Sequence, residues 1–293
     1  MTPATRKIII LVLFLAIGFS LRGQNDSLVI DSITGRIKEI LDEYNSYSAY
    51  FDTLDYVNDP YVADDLNLQT AASHGACNEI IRLFVKGADV NNYIGRTASP
   101  LHYAVSSGKW EAVEILLLLG ANPDMKDMYG NTALVTAVRA DKTEIAEKII
   151  RYGGSVTEPD RQDATPLHHS AALGNFRMTD MLLYYDSPTE FRDREGNTPL
   201  MAAVFYGFYD IADLLLQAGA DPNADDKLGF TPIMAAAQNG DTLMMRILTD
   251  AGAWLYVVND YGLDALGCAI VSSKKDAVAF LLEEGNLWRK QEG

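Results

Sequence analysis

Aliphatic residues recur along the chain at a fixed spacing. Leu68, Leu101, Leu134, Leu167, Leu200, Ile233 and Leu266 stand 33 residues apart each time. Three more registers keep phase with them. Ser99, Thr132, Thr165, Thr198 and Thr231 come two residues earlier, and Gly75, Gly108, Gly174, Gly207 and Gly240 seven residues later. Gly87, Gly120, Gly153, Gly219, Gly252 and Gly285 follow the aliphatic by nineteen. Registers that hold phase over so long a stretch mark a repeat protein.

Each register has a physical task. In Thr165-Pro166-Leu167-His168 the threonine hydroxyl can cap free backbone N–H groups, and proline at the first helical position loses no hydrogen bond. Ser99-Pro100-Leu101-His102, Thr198-Pro199-Leu200 and Thr231-Pro232-Ile233 repeat the device. Small residues such as Ala202-Ala203 and Ala235-Ala236-Ala237 let short helices approach closely, and a glycine then stops the helix. A second helix carries a dense aliphatic stripe, as in Ile211-Leu214-Leu215-Leu216, and ends at a glycine that opens Gly219-Ala220-Asp221-Pro222-Asn223. One such pair cannot bury its own apolar face, so stacking must supply the core.

Thr-Pro-Leu-His with Gly-Ala-Asp-x-Asn at this period resembles the ankyrin repeat family, over about seven units from Leu66 to Leu287. The resemblance implies an all-α repeat solenoid of helix-turn-helix units with β-hairpin-like tips, occupying residues 66–293. The first unit has Leu66-Asn67 in place of Thr-Pro, and the seventh has Asp264-Ala265, as suits terminal caps. In the fourth unit Asp186-Ser187-Pro188 replaces Gly-Ala-Asp, which questions the local turn. Ahead of the repeats, in residues 24–65, Ile33, Ile37, Ile40, Leu41, Tyr44, Tyr47 and Phe51 follow helical spacing. They predict an N-terminal capping helix, followed by an acidic, tyrosine-rich stretch.

Residues 1–23 read as a secretory signal. Arg6 and Lys7 precede an unbroken apolar run, Ile8 to Phe19, and the chain turns polar at Gln24. That run is too short to cross a membrane, which takes about 20 apolar residues. The expected destination is periplasmic or secreted, with retention by an uncleaved N-terminal segment as the alternative. Lys plus Arg number 24 against 40 Asp plus Glu, a formal charge of −16. Cleavage would remove Arg6, Lys7 and Arg22 and no acid, which deepens the charge. A chain this acidic repels phosphate backbones, so nucleic acid is not an expected partner. The 48% hydrophobic composition is that of a globular protein, expected to be monomeric and without stable membrane insertion once the signal is gone.

Chemistry is scarce. His102 and His168 fall in the Thr-Pro-Leu-His motif, where the family resemblance implies a hydrogen-bonding role in the scaffold. His168 and His169 are adjacent and point about 100° apart on a helix, which is no metal pair. Asp221, Asn223 and Asp225 imitate the start of a calcium loop, but Asp226 stands where its glycine must be and Pro232 where its glutamate must be. Cys77 and Cys268 sit six repeats apart, roughly 60 Å at about 10 Å per stacked pair, too far for a disulfide. No catalytic, cofactor-binding or metal-binding residues are assigned, and the chain is not expected to be an enzyme.

Function is left to the surface. The family's concave face is built from hairpin tips and the outer positions of each first helix. At those positions Leu173, Phe205 and Tyr206 are apolar where solvent is expected, and Arg139, Arg161 and Arg194 add cations in an acidic chain. Aromatic residues and arginine are common interface anchors. The expected role is a protein–protein interaction scaffold or adaptor acting outside the cytoplasm. The alternative is an acidic inhibitor or immunity-type protein that neutralises a basic toxin or enzyme. Phe205 and Tyr206 could instead pack between neighbouring repeats.

Overall fold

The computed structural model describes residues 64–92 and 97–291. The signal segment and the helix expected over Ile33–Phe51 lie outside them. Among the described residues fourteen helices pair into seven units: α1 (Asp64–His74) with α2 (Cys77–Lys86), α3 (Pro100–Ser106) with α4 (Trp110–Leu118), and α5 (Ala133–Arg139) with α6 (Thr143–Arg151). Then come α7 (Pro166–Ala172) with α8 (Phe176–Tyr184), α9 (Pro199–Tyr206) with α10 (Tyr209–Gln217), α11 (Pro232–Asn239) with α12 (Thr242–Asp250), and α13 (Ala265–Val271) with α14 (Lys275–Gln291). First helices pack on first helices and second on second along the stack, so one continuous core runs through it.

The helix starts follow from the caps. Thr132 and Thr198 accept hydrogen bonds from Val135 N–H and Met201 N–H, and Asp264 does the same for Gly267 N–H at 2.8 Å. Aspartate therefore replaces the Thr-Pro start of the last unit without loss. The first unit lacks Thr-Pro, and its first helix is described from Asp64 onward.

The motif histidines join neighbouring units. His168 Nδ1 accepts from Thr165 N–H at 3.1 Å, which leaves the proton on Nε2 to donate to the Asn197 carbonyl at 3.0 Å. His102 does the same work with the Ser99 hydroxyl, 2.8 Å from its Nδ1, and the Asn131 carbonyl, 3.0 Å from its Nε2. Burial pushes both imidazoles below the usual histidine range, partly offset by their carbonyl partners. Gln69 substitutes for histidine in the first unit, donating to the Ala98 carbonyl at 3.0 Å.

Leu68, Leu101, Leu134, Leu167, Leu200 and Ile233 are all fully buried. On the second helices the stripe differs from the expected one at α10. Leu215 and Ile211 are fully buried, whereas Leu214 is only partly buried, one step of about 100° off the inward line.

The turns bear on three features of the sequence. The link after α8 keeps its shape despite Asp186-Ser187-Pro188: Asp186 adopts φ 59°, and Ser187 N–H reaches the Leu182 carbonyl at 3.1 Å. Aspartate tolerates this left-handed conformation better than most residues. Gly285, expected to end the last helix, does not end it, and α14 continues to Gln291. The tips, expected to resemble β-hairpins, form turns; among the described residues no strand appears, because a single backbone bond joins each linked pair of tips. These bonds run from Met128 N–H to Thr97, Arg194 to Gln162, Lys227 to Glu195 and Asp260 to Leu228, at 2.6–3.0 Å.

Ser187 occupies a position where other units carry Ala88, Ala121, Ala220 or Ala253. It is 5% exposed, and its hydroxyl has no partner among the described residues. A buried unpaired hydroxyl costs about 1–3 kcal/mol, so Ser187→Ala should stabilise the protein by about 1 kcal/mol. A midpoint in urea that stays put or falls would contradict this. Neither Cys77 nor Cys268 forms a disulfide among the described residues, and Cys268 is buried.

Candidate protein-binding face

Each tip is organised by one acidic or amide side chain. Asp127 Oδ1 accepts from Tyr129 and Asn131 N–H, both at 2.8 Å. Asp160, Asp193, Asp226 and Asn259 do the same one period apart each time. This fifth register was overlooked in the sequence, although its signal, an Asp or Asn every 33 residues, is plain there. It explains why the imitation of a calcium loop is built as it is. Asp221 closes a turn through Asn223 N–H, Asn223 reaches the next link, and Asp226 shapes its own tip.

The six predicted site residues are all exposed, and they fall into two groups. Arg161 and Arg194 are on tips. Arg161 lies so close to Gly130 that a Cβ there would sit 2.6 Å from its Cγ, and Gly130 is at φ 85°, so both space and conformation require glycine. Arg194 Nε lies 3.9 Å from Asp163 Oδ2, both side chains about three-fifths exposed, an ion pair of little energetic weight. Arg139, Leu173, Phe205 and Tyr206 lie at the far ends of the first helices α5, α7 and α9. A seven-residue helix is about 10 Å long, and that length separates the two groups.

The second group is apolar at its centre. Leu173 is 54%, Phe205 61% and Tyr206 59% exposed. The rings of Phe205 and Tyr206 meet edge to face at 5.2 Å, and Tyr206 continues to Phe208 at 6.3 Å. Packing between repeats belongs to Phe208, whose ring lies where a Cβ on Gly174 would come within 2.5 Å. Asn239 holds the end of α9 by donating to the Phe205 carbonyl at 3.1 Å. Phe176 (44% exposed) and Tyr209 (39%), the first residues of α8 and α10, lie in the same two units and were not predicted. Their signal was an aromatic at the residue after each short turn. A hydrogen bond to Asp241 pushes the Tyr209 hydroxyl above its usual value.

Arg139 stands near a buried polar pair. His169 Nε2 lies 2.9 Å from Asp160 Oδ2. Burial pushes His169 below the usual histidine range, Asp160 opposes that, and the Arg139 charge adds to it. Neutral His169 thus donates a hydrogen bond to a tip aspartate, which is a structural role.

A sequence profile for ankyrin repeats in three copies matches the chain at residues 68–160, 155–226 and 220–291. The ankyrin repeat domain of human ASB11 superposes with a TM-score of 0.62 and 27% identity, over 73% of this chain and 96% of that one. Short stretches also resemble three ubiquitin ligases. The E3 ubiquitin-protein ligase hecd-1 of Caenorhabditis elegans is 44% identical over 64 residues, 22% of this chain and 2% of that protein. Ufd4 of Drosophila melanogaster is 42% identical over 67 residues, 23% of this chain and 2% of that protein. A probable ligase of rice, XBOS33, is 44% identical over 70 residues, 23% of this chain and 13% of that protein. The chain thus spans only a small part of these relatives, and the likeness carries no ligase activity with it. Paired helices stacked at a 33-residue period, bridged by motif histidines and matched by the profile from Leu68 to Gln291, place this protein in the ankyrin repeat family, whose fold is generally a non-catalytic module for protein–protein interaction.

Proposed function

We propose that the protein is an exported binding module that holds a partner protein on its concave face, centred on units three to five. Leu173, Phe205 and Tyr206 supply the apolar anchors; Arg139, Arg161 and Arg194 supply cations around them. The observation that carries this reading is the exposure of three large apolar side chains, each more than half open to solvent, at adjacent positions of consecutive units. Clusters of this kind on soluble proteins mark contact sites. Affinity capture with the wild-type chain and with Phe205→Ala tests it. Truncating a central aromatic should weaken binding at least about tenfold, or about 1.4 kcal/mol. Equal recovery of partner by the two baits would place the site elsewhere.

A second reading has its own support in the charge of −16: an acidic inhibitor or immunity-type protein for a basic toxin or enzyme, with association sped by charge complementarity. Recovery of a single basic protein in equimolar amount favours it, and several unrelated proteins favour a scaffold. Export rests on Arg6-Lys7 followed by the apolar run Ile8–Phe19. N-terminal sequencing of the mature protein should begin between about residues 20 and 25. An intact Met1 on membrane-recovered protein would favour the retained anchor.

A further inference from the structure

The tips carry a row of cations that runs against the charge of the chain. Met128, Arg161, Arg194, Lys227 and Asp260 occupy one register of successive tips, so three cations stand side by side at its centre. Neighbouring units stack about 10 Å apart, which sets the spacing of the row. All three cations are exposed, in a protein of formal charge −16. The row is fixed from beneath. The Arg161 stem lies over Gly130, and the Lys227 stem over Gly196, where a Cβ would come 3.2 Å from its Cγ. Under Arg194 the glycine register carries Asp163 instead, at φ 60°, which supplies the weak ion pair at 3.9 Å. Arg161 and Lys227 take part in no ion pair among the described residues. Asp160, Asp193 and Asp226, each one residue earlier, turn Oδ1 to backbone N–H groups of their own tips, so the cations face solvent and they do not. Of the exposed acids nearby, Asp225 pairs with Arg192 at 3.4 Å, and Glu195 follows Arg194 in the chain. One helix length across the face, about 10 Å away, stands the apolar ledge of Leu173, Phe205 and Tyr206.

Resting on the concave-face reading above, we propose that this row takes an acidic, extended segment of the partner protein, with carboxylates on the tips and an apolar side chain on the ledge. Charge complementarity supports the acid. Spacing supports its pattern: three residues of a polyproline II chain advance about 9 Å and bring a side chain back to the same side, so the matching segment reads acid-x-x-acid. Packing supports the strength of the contact, because stems already laid on the preceding tip lose less freedom on binding than loose ones. The acidic remainder of the chain repels carboxylates that miss the row, which turns the overall charge into a filter against wrong partners. A basic toxin or enzyme would meet like charge at these three tips, so the inhibitor reading would need another face.

Selection of displayed random peptides on the purified chain tests this, with about twelve residues being more than enough to span three units. Peptides enriched on the wild type should carry acid-x-x-acid beside an aromatic or aliphatic residue. Arg161→Gln with Arg194→Gln and Lys227→Gln should weaken the tightest peptide at least about tenfold by fluorescence anisotropy, with the melting curve unchanged. Replacing that peptide's acids by amides should weaken its binding to the wild type equally and have little further effect on the triple variant. Arg194→Gln alone, which disturbs no stem over a glycine, keeps the test valid if the triple variant misfolds. Basic or uncharged peptides that still require Phe205 would overturn the acidic row and leave the concave face standing. Acidic peptides that bind the triple variant as well as the wild type would overturn it too, as would a selection that enriches nothing. Peptides indifferent both to Phe205→Ala and to the triple variant would remove the concave-face reading itself.

Discussion

Leu215→Ala should lower the stability of the protein by about 2–5 kcal/mol, the usual result of emptying a fully buried leucine site. The cost has two parts: apolar area returned to water, and a cavity that neighbouring side chains fill only partly. Leu215 is fully buried in the common core, flanked along the stack by Leu182 and Leu248, equally buried. Phe205→Ala is the matched comparison. Its ring is larger but 61% exposed, so its removal should change stability by well under 1 kcal/mol while it weakens partner capture. Urea titrations of the two variants measure the contrast. If Phe205→Ala unfolds as readily as Leu215→Ala, the aromatic belongs to the core and the proposed face loses its centre.

Acid should destabilise the protein through its bridging histidines. His102 and His168 are buried and held below the ordinary value of 6.5, so the folded protein keeps them neutral where the unfolded chain takes up protons. Their stabilisation is complete above pH 6.5 and is lost as pH falls from there toward the folded values. The titratable groups acting on the rings are Asp127 for His102, and Asp193 and His169 for His168; the aspartates oppose the depression and His169 adds to it. His169 shifts in the same direction and contributes over the same window. Gln69 supplies the control, since it makes the equivalent carbonyl bond without titrating. His102→Gln with His168→Gln should retain much of the bridging and flatten the loss of melting temperature between pH 6.5 and about 5, above the range where carboxylates titrate. An acid limb as steep as that of the wild type would show that other groups control it.

The repeat architecture was legible because stacking demands the same residue at the same place in every unit. The leucine register and the capping threonines could be read without coordinates for that reason. What could not be read depends on rotation about a helix axis or on the space a neighbour leaves. Leu214 and Leu215 are chemically identical, and only the helix orientation sends one inward. Gly285 keeps the register of a turn, yet the helix runs through it to Gln291. Phe205, Tyr206 and Phe208 form one aromatic run, and the space over Gly174 decides which of them packs. Gln69 was passed over because the pattern names histidine, whereas the geometry asks only for a donor that reaches the next unit.

A side-chain ladder runs along the links that follow the second helices. Asn91 accepts from Asn122 N–H, Asp124 from Ser155 N–H, Glu190 from Asp221 N–H and Asn223 from Trp254 N–H, at 2.7–3.0 Å. Between units three and four the donor position is Pro188, which has no N–H to give, so Thr157 is left without this rung. Unit four also replaces apolar core contacts with a hydroxyl pair, Thr179 to Ser170 at 3.0 Å. Unit three is tied to unit four elsewhere: Asn175 donates to Asp141, and the Tyr185 hydroxyl to Glu147 at 3.5 Å. A partner seated across units three to five would therefore rest on a junction held by side chains of the helices and their turns, with no rung between the two outer links.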